Sequence, residues 1–142
     1  MKDALKRLDK DGIRVSSAGV SAVDGFPPTR ETIEAMKREG VDVSGLRSRF
    51  LTDEMIRDND LILVMAAHHM DDIIKRIPEA VSKTHILKEY GAVPPAGTRE
   101  SPDIFDPIGR SEEFYEYILG SIKKEVGRIA RVIARSDSDE AI

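Results

Sequence analysis

The 142 residues offer room for one domain and one core at roughly 100–200 residues per domain, not for two. Hydrophobic residues at 40% and charged residues at 34% lie near globular values and exclude a wholly disordered chain, while 22 Lys+Arg against 26 Asp+Glu, a net charge of -4, excludes a general nucleic-acid binder with a basic phosphate-facing surface. Zero cysteines exclude disulfides, cysteine-ligated zinc, iron–sulfur clusters and any thiolate nucleophile among these residues.

Met1, Ala4, Leu5 and Leu8 recur at helical spacing among charged residues, so the chain is expected to begin inside an amphipathic helix. The same opening carries Lys2, Asp3, Lys6, Arg7, Asp9 and Lys10 in place of a signal-peptide core, and no apolar run approaches the ~20 residues of a membrane helix. A cytoplasmic protein without a membrane partner is expected. Asp11-Gly12 breaks the helix, and Ile13, Val15 and Ser16-Ser17-Ala18-Gly19 predict a short strand running into a loop that continues through Gly25-Phe26-Pro27-Pro28.

Thr29 is a suitable N-cap for a helix carrying Ile33, Ala35 and Met36 that stops at Gly40. Residues 41–50 read as a connector, and Thr52 caps a short helix containing Met55 and Ile56. Leu61-Ile62-Leu63-Val64-Met65 is continuously apolar, as a parallel strand covered on both faces should be. A helix over 67–76 must end before Pro78, and Thr84-His85-Ile86-Leu87 predicts a second strand. Residues 91–109 form a long loop rich in proline and glycine, a length that in a compact domain points to function or disorder. Ser111 caps the last helix, whose buried stripe is Phe114, Ile118, Ile122, Val126, Ile129 and Ile133. The domain is expected to span residues 1–135, followed by a solvated acidic tail, 136–142. Strands alternating with helices predict an α/β fold, with a ligand site beyond the C-terminal ends of its parallel strands, near Ser16-Ser17 and Met65-Ala66.

In the long loop, Asp103-Ile104-Phe105-Asp106-Pro107-Ile108-Gly109 sets two carboxylates three residues apart, and Pro107 pushes Asp106 toward an extended backbone. Such a carboxyl can donate a proton, although Asp before Pro is also ordinary turn chemistry. His68 and His69 are adjacent, so on a helix they point about 100° apart and do not share a metal as i, i+4 histidines do; with Asp71 and Asp72 they fit a polar helix face. Arg47 and Arg49 in the connector are either phosphate ligands or solvated side chains. The glycine patterns of nucleotide cradles and the G-x-S-x-G of serine hydrolases are absent. No metal and no cofactor is implied.

Taken in order, Val15-Ser16-Ser17-Ala18-Gly19, Gly25-Phe26-Pro27-Pro28, Ala35-Met36 to Gly40-Val41, Val43-Ser44-Gly45-Leu46-Arg47-Ser48-Arg49, residues 61–65 and Asp106-Pro107-Ile108-Gly109 resemble the low-molecular-weight protein-tyrosine phosphatase family. The resemblance runs over residues 1–133 and implies a three-layer α/β/α fold, shared with cysteine-dependent arsenate reductases. Family members open with an apolar strand and a C-x5-R phosphate loop, and Met1-Lys2-Asp3-Ala4-Leu5 resembles the helix that follows them. The resemblance thus implies a chain lacking that first strand, which lies centrally between the strands at 13–18 and 61–65, together with the nucleophilic cysteine and the loop arginine. A later internal start, a rearranged fold or completion by a partner strand would each account for this.

The family mechanism implies a thiolate nucleophile, a cradle of backbone N–H groups and arginine, and an aspartic acid that protonates the leaving group. Of these, Asp106 alone has a match. The resemblance therefore implies a substrate that is a phosphorylated protein or a small phosphomonoester in the complete form, with this chain inactive alone. The alternative is a non-catalytic relative that forms a homodimer through exposed strand edges. Two departures from the family pattern matter: Leu46 stands where the family usually has a histidine, which favours the alternative, and Ile108 stands where an aromatic often follows Asp-Pro, which weakens the inference of phosphotyrosine specificity. Arsenate reduction by the cysteine route is excluded in a chain without cysteine.

Overall fold

The computed structural model describes residues 12–92 and 101–140. The helix expected over residues 1–8 lies outside the described residues, as does the stretch 93–100 of the long loop. The apolar run at 61–65 supplies strand β1 (Ile62–Val64), which pairs in parallel with β2 (Thr84–Ile86), Ile62 opposite Thr84 and Val64 opposite Ile86. Successive strand side chains point to opposite faces, and the core divides accordingly. Ile62, Val64 and Ile86 pack with Ile56, Ile73, Ile77 and Ala80 on one face, whereas Leu63 and Leu87 pack with Ile104, Ile118 and Ile129 on the other.

Helices close both faces, giving the three-layer α/β/α arrangement. Helix α1 (Arg30–Arg38) begins where the Thr29 hydroxyl accepts the Thr32 N–H at 3.3 Å and ends before Gly40, whose φ of 77° a side chain would resist. In helix α2 (Asp53–Asp58), Thr52 accepts the Met55 N–H at 3.2 Å and Ile56 is fully buried. Helix α3 (Ala67–Arg76) covers the first face of the sheet, and a 3-10 turn (Pro78–Lys83) leads into β2. Thr84 is the buried polar residue of that strand; its hydroxyl donates to the Ala80 carbonyl at 2.8 Å, which offsets its desolvation.

Helix α4 (Glu112–Glu140) covers the second face, and Ser111 accepts the Phe114 N–H at 3.3 Å at its start. Its backbone stays helical past Arg135, through residues whose composition predicts a tail, since a nucleated helix propagates readily through residues of middling propensity. Ion pairs from Arg38 to Glu112 (3.6 Å) and Glu116, and from Lys123 to Glu39 (2.6 Å), lay α1 along α4.

Residues 13–18 correct the reading of a strand there. Side-chain pattern alone does not make a strand; its backbone needs a ladder, and among the described residues none is presented to this segment. The pairing is reduced to a single parallel bridge, Gly19 with Phe50, in which the Gly19 N–H donates to the Arg49 carbonyl and the Leu51 N–H to that of Gly19. The described sheet therefore has two strands, and the edge of β1 away from β2 has no strand beside it among the described residues.

Candidate active site

Beyond Val64 the chain leaves the sheet through Met65 and Ala66 and turns at once into α3, so the first N–H groups of that helix lie at the C-terminal end of β1. Ala66 occupies the N-cap and has no side-chain oxygen to offer. The donor is satisfied from elsewhere: the Ala67 N–H donates to Oδ1 of Asp103 at 2.9 Å. One residue on, the Ile104 N–H donates to the Met65 carbonyl at 2.7 Å, and the Ile104 side chain is buried against α4. The segment 101–109 is thus fastened across the end of β1 by one side-chain and one backbone hydrogen bond, with an apolar plug between the layers.

Held in this way, Asp106 is exposed at the strand end. Its Oδ1 accepts the Ile108 N–H at 3.0 Å, an Asx turn of the kind Asp-Pro sequences favour. The Arg110 N–H closes the turn onto the Pro107 carbonyl at 2.9 Å, and the Arg110 guanidinium lies 4.4 Å from the Phe114 ring centre at the head of α4. Phe105 and Ile108, both well exposed, flank the carboxyl with apolar surface.

His69 sits in the first turn of α3, half-buried, with the His68 ring 4.2 Å away. Burial pushes its imidazole below the ordinary histidine range and the neighbouring His68 adds to this, while the carboxylates of Asp103, Asp106 and Asp72 pull in the opposite direction. Sequence spacing placed the histidines on a polar helix face but did not reveal that His69 shares a neighbourhood with Asp106. Among the described residues no three His, Asp or Glu side chains form a set suited to a metal ion.

The other candidates lie elsewhere. Arg47 donates to the Ser44 and Leu46 carbonyls beside it, at 3.0 and 2.7 Å, while Arg49 reaches the Ser17 carbonyl at 3.0 Å and so links the connector to the segment following residue 13. Both guanidiniums serve backbone carbonyls. Leu46 is exposed. The role of Asp103 was missed because its partner is 36 positions earlier; the available signal was Ala66, which leaves a helix without a cap of its own.

The family profile described as "Low molecular weight phosphotyrosine protein phosphatase" matches residues 1–139. The chain is 35% identical over 126 residues to the "Probable low molecular weight protein-tyrosine-phosphatase EpsP" of Ralstonia solanacearum, covering 89% of this chain and 81% of that one. It is 33% identical to a "Protein-arginine-phosphatase" of Geobacillus stearothermophilus over 89% of this chain and 80% of the relative. The solved structure of the YwlE arginine phosphatase from that organism superposes with a TM-score of 0.82 at 29% identity, over 96% of this chain and 84% of its own.

Proposed function

We propose, because the chain belongs to the low molecular weight phosphotyrosine protein phosphatase family, that its residues form the acid side of a phosphatase whose complete form hydrolyses phosphotyrosine or small phosphomonoesters. In this reading a thiolate attacks phosphorus, the P–O ester bond breaks as the Asp106 carboxyl gives its proton to the departing oxygen, and a cysteinyl phosphate forms. The Asp106 carboxylate then takes a proton from water as that water attacks phosphorus, releasing phosphate and the thiolate. No cysteine occurs among the 142 residues, so the reading assigns the thiolate and the phosphate cradle to a family-type C-x5-R loop and assigns these residues no turnover by themselves.

The observation that carries the reading is the exposed Asp106 carboxyl on a loop fastened across the end of β1, by Ile104 to Met65 at 2.7 Å and by Asp103 to Ala67 at 2.9 Å. Ligands of open α/β sheets bind at strand C-terminal ends, which is where a leaving-group oxygen would need its acid. A second reading, a non-catalytic protein that pairs with a copy of itself, is favoured by the edge of β1 that has no strand beside it among the described residues and by the exposed Leu46, where the family usually places a histidine.

The test joins a family-type apolar strand and C-x5-R loop ahead of Met1 and measures hydrolysis of aryl phosphates, a phosphotyrosine peptide and a phosphoarginine peptide. Asp106→Asn should lower turnover of the favoured substrate by about 10²–10⁴-fold, and Asp103→Asn should change it little. A joined, folded protein that is inactive on all three supports the second reading. Preference for phosphoarginine would keep Asp106 as the acid and correct the substrate.

A further inference from the structure

Helix α3 has an N-cap residue without a side-chain acceptor, and the acid loop supplies one in trans. We infer that Asp103 is the positioning residue of this site: its carboxylate is shared as the cap of α3, and that contact holds the Asp106 turn at the end of β1. The inference rests on the reading of Asp106 as the acid, and it adds a role for a neighbour that touches neither substrate nor nucleophile.

The two carboxylates of Asp103-Ile104-Phe105-Asp106 have opposite assignments in the structure. Asp103 is half-buried and turned back onto the Ala67 N–H, and its own N–H donates to the Ser101 hydroxyl at 3.2 Å. Asp106 is exposed and bonded only locally among the described residues, to the Ile108 N–H two residues on. Between them Ile104 is 7% exposed and its N–H is fixed on Met65. One carboxylate is therefore the anchor and the other the presented group, three residues apart on a short segment whose middle is plugged into the core. An acceptor at position 103 is what the geometry requires, and an asparagine oxygen can fill it, whereas alanine cannot.

The 142-residue chain itself serves for the test, read by amide hydrogen exchange and NMR at the Ala67, Ile104 and Ile108 N–H groups. Asp103→Ala should speed exchange at Ala67 by about tenfold, the size of a lost cap, and shift the Ile108 signal as the Asp106 turn loosens. Asp103→Asn should restore both toward the unmodified chain. Asp106→Ala should alter Ile108 and leave Ala67 protected. An Asp103→Ala protein with an unchanged Ile108 signal, or an Asp103→Asn protein that behaves as the alanine variant does, overturns the inference. If Asp103→Ala fails to fold, the unmodified chain decides: Ala67 and Ile104 should open together across low denaturant, and independent opening refutes a shared anchor. These signals do not depend on turnover, so an anchor that holds while Asp106→Asn leaves the joined enzyme unimpaired would refute the acid assignment and not the anchor.

Discussion

Asp106 and His69 occupy one neighbourhood but face opposite demands. As the proposed acid, Asp106 would have to carry a proton to the leaving group, and it is exposed; the His69 imidazole is half-buried, which favours its neutral form. That depression has a direction in pH. An unfolded chain protonates this histidine near its ordinary value of about 6.5, whereas the folded chain resists until a lower pH. Below about 6.5 the unfolded state binds more protons, so the contribution to stability falls as pH drops through the folded value and then levels off. His69→Gln should flatten this part of a stability-against-pH curve measured by denaturant unfolding; an unaltered slope in that variant would contradict the assignment. Local residue chemistry was legible where partner and residue are near in sequence, as with Thr29, Thr52 and Ser111, each of which accepts an N–H three positions on. It was illegible for Asp103, whose capping partner is 36 positions away and is brought close only by the sheet.

Between elements, long-range hydrogen bonds from two arginines fix how the layers meet. Arg76, at the end of α3, donates to Asp53 Oδ1 at 3.0 and 2.8 Å and to the Leu51 carbonyl at 2.6 Å, pairs with Asp72 at 3.4 Å, and lies 5.4 Å from the Phe50 ring centre. Its side chain is 22% exposed, so solvent screens these contacts only in part. Arg76→Ala should cost about 1–3 kcal/mol of unfolding free energy, and Arg76→Lys should recover little, because a lysine lacks the planar fork that serves a carboxylate and a carbonyl together. A loss within about 0.5 kcal/mol, the usual span for ordinary surface substitutions, would show the network to be incidental. Arg128 plays the corresponding part on the other face, donating to the Leu87 carbonyl at 2.7 Å and to that of Tyr90 and so holding the turn after β2 on α4. Gly91 follows at a φ of 64°, where a Cβ would meet both Val132 methyl groups at 3.0 Å. Gly91→Ala should therefore destabilise the chain by about 1 kcal/mol or more in thermal or denaturant unfolding; unchanged stability would mean that the turn repacks freely. The apolar run of β1 and the stripe of α4 announced these elements. The strand expected at 13–18 failed because a strand is a pairing property, and Ile13 and Val15 carry no information about whether a ladder lies beside them.

At the scale of the whole molecule, the three layers follow from the alternation of Ile62, Leu63 and Val64 between α3 and α4, and the candidate site follows from the parallel direction of β1 and β2. Among the described residues no strand lies beside β1 on the side away from β2, and Phe105 and Ile108 present exposed apolar surface. The 142-residue chain is accordingly expected to unfold with low cooperativity or to associate through strand edges, as ultracentrifugation and thermal unfolding would register. A sharply cooperative monomer would contradict that expectation. Aryl phosphate hydrolysis by the same purified chain is expected to be absent, since an acid cannot replace a positioned nucleophile and oxyanion cradle.

The central claim is that Asp106 protonates the leaving group, and the dependence of rate on that group tests it most directly. In the protein joined to a C-x5-R loop, turnover of a series of aryl and alkyl phosphates would be measured with and without Asp106→Asn. The account predicts a loss of about 10²–10⁴-fold for poor leaving groups, shrinking steadily as the leaving group becomes more acidic and needs its proton less, with Asp103→Asn nearly indistinguishable from the unmodified protein. An Asp106→Asn loss equal for all leaving groups, or a selective loss in Asp103→Asn instead, would contradict it.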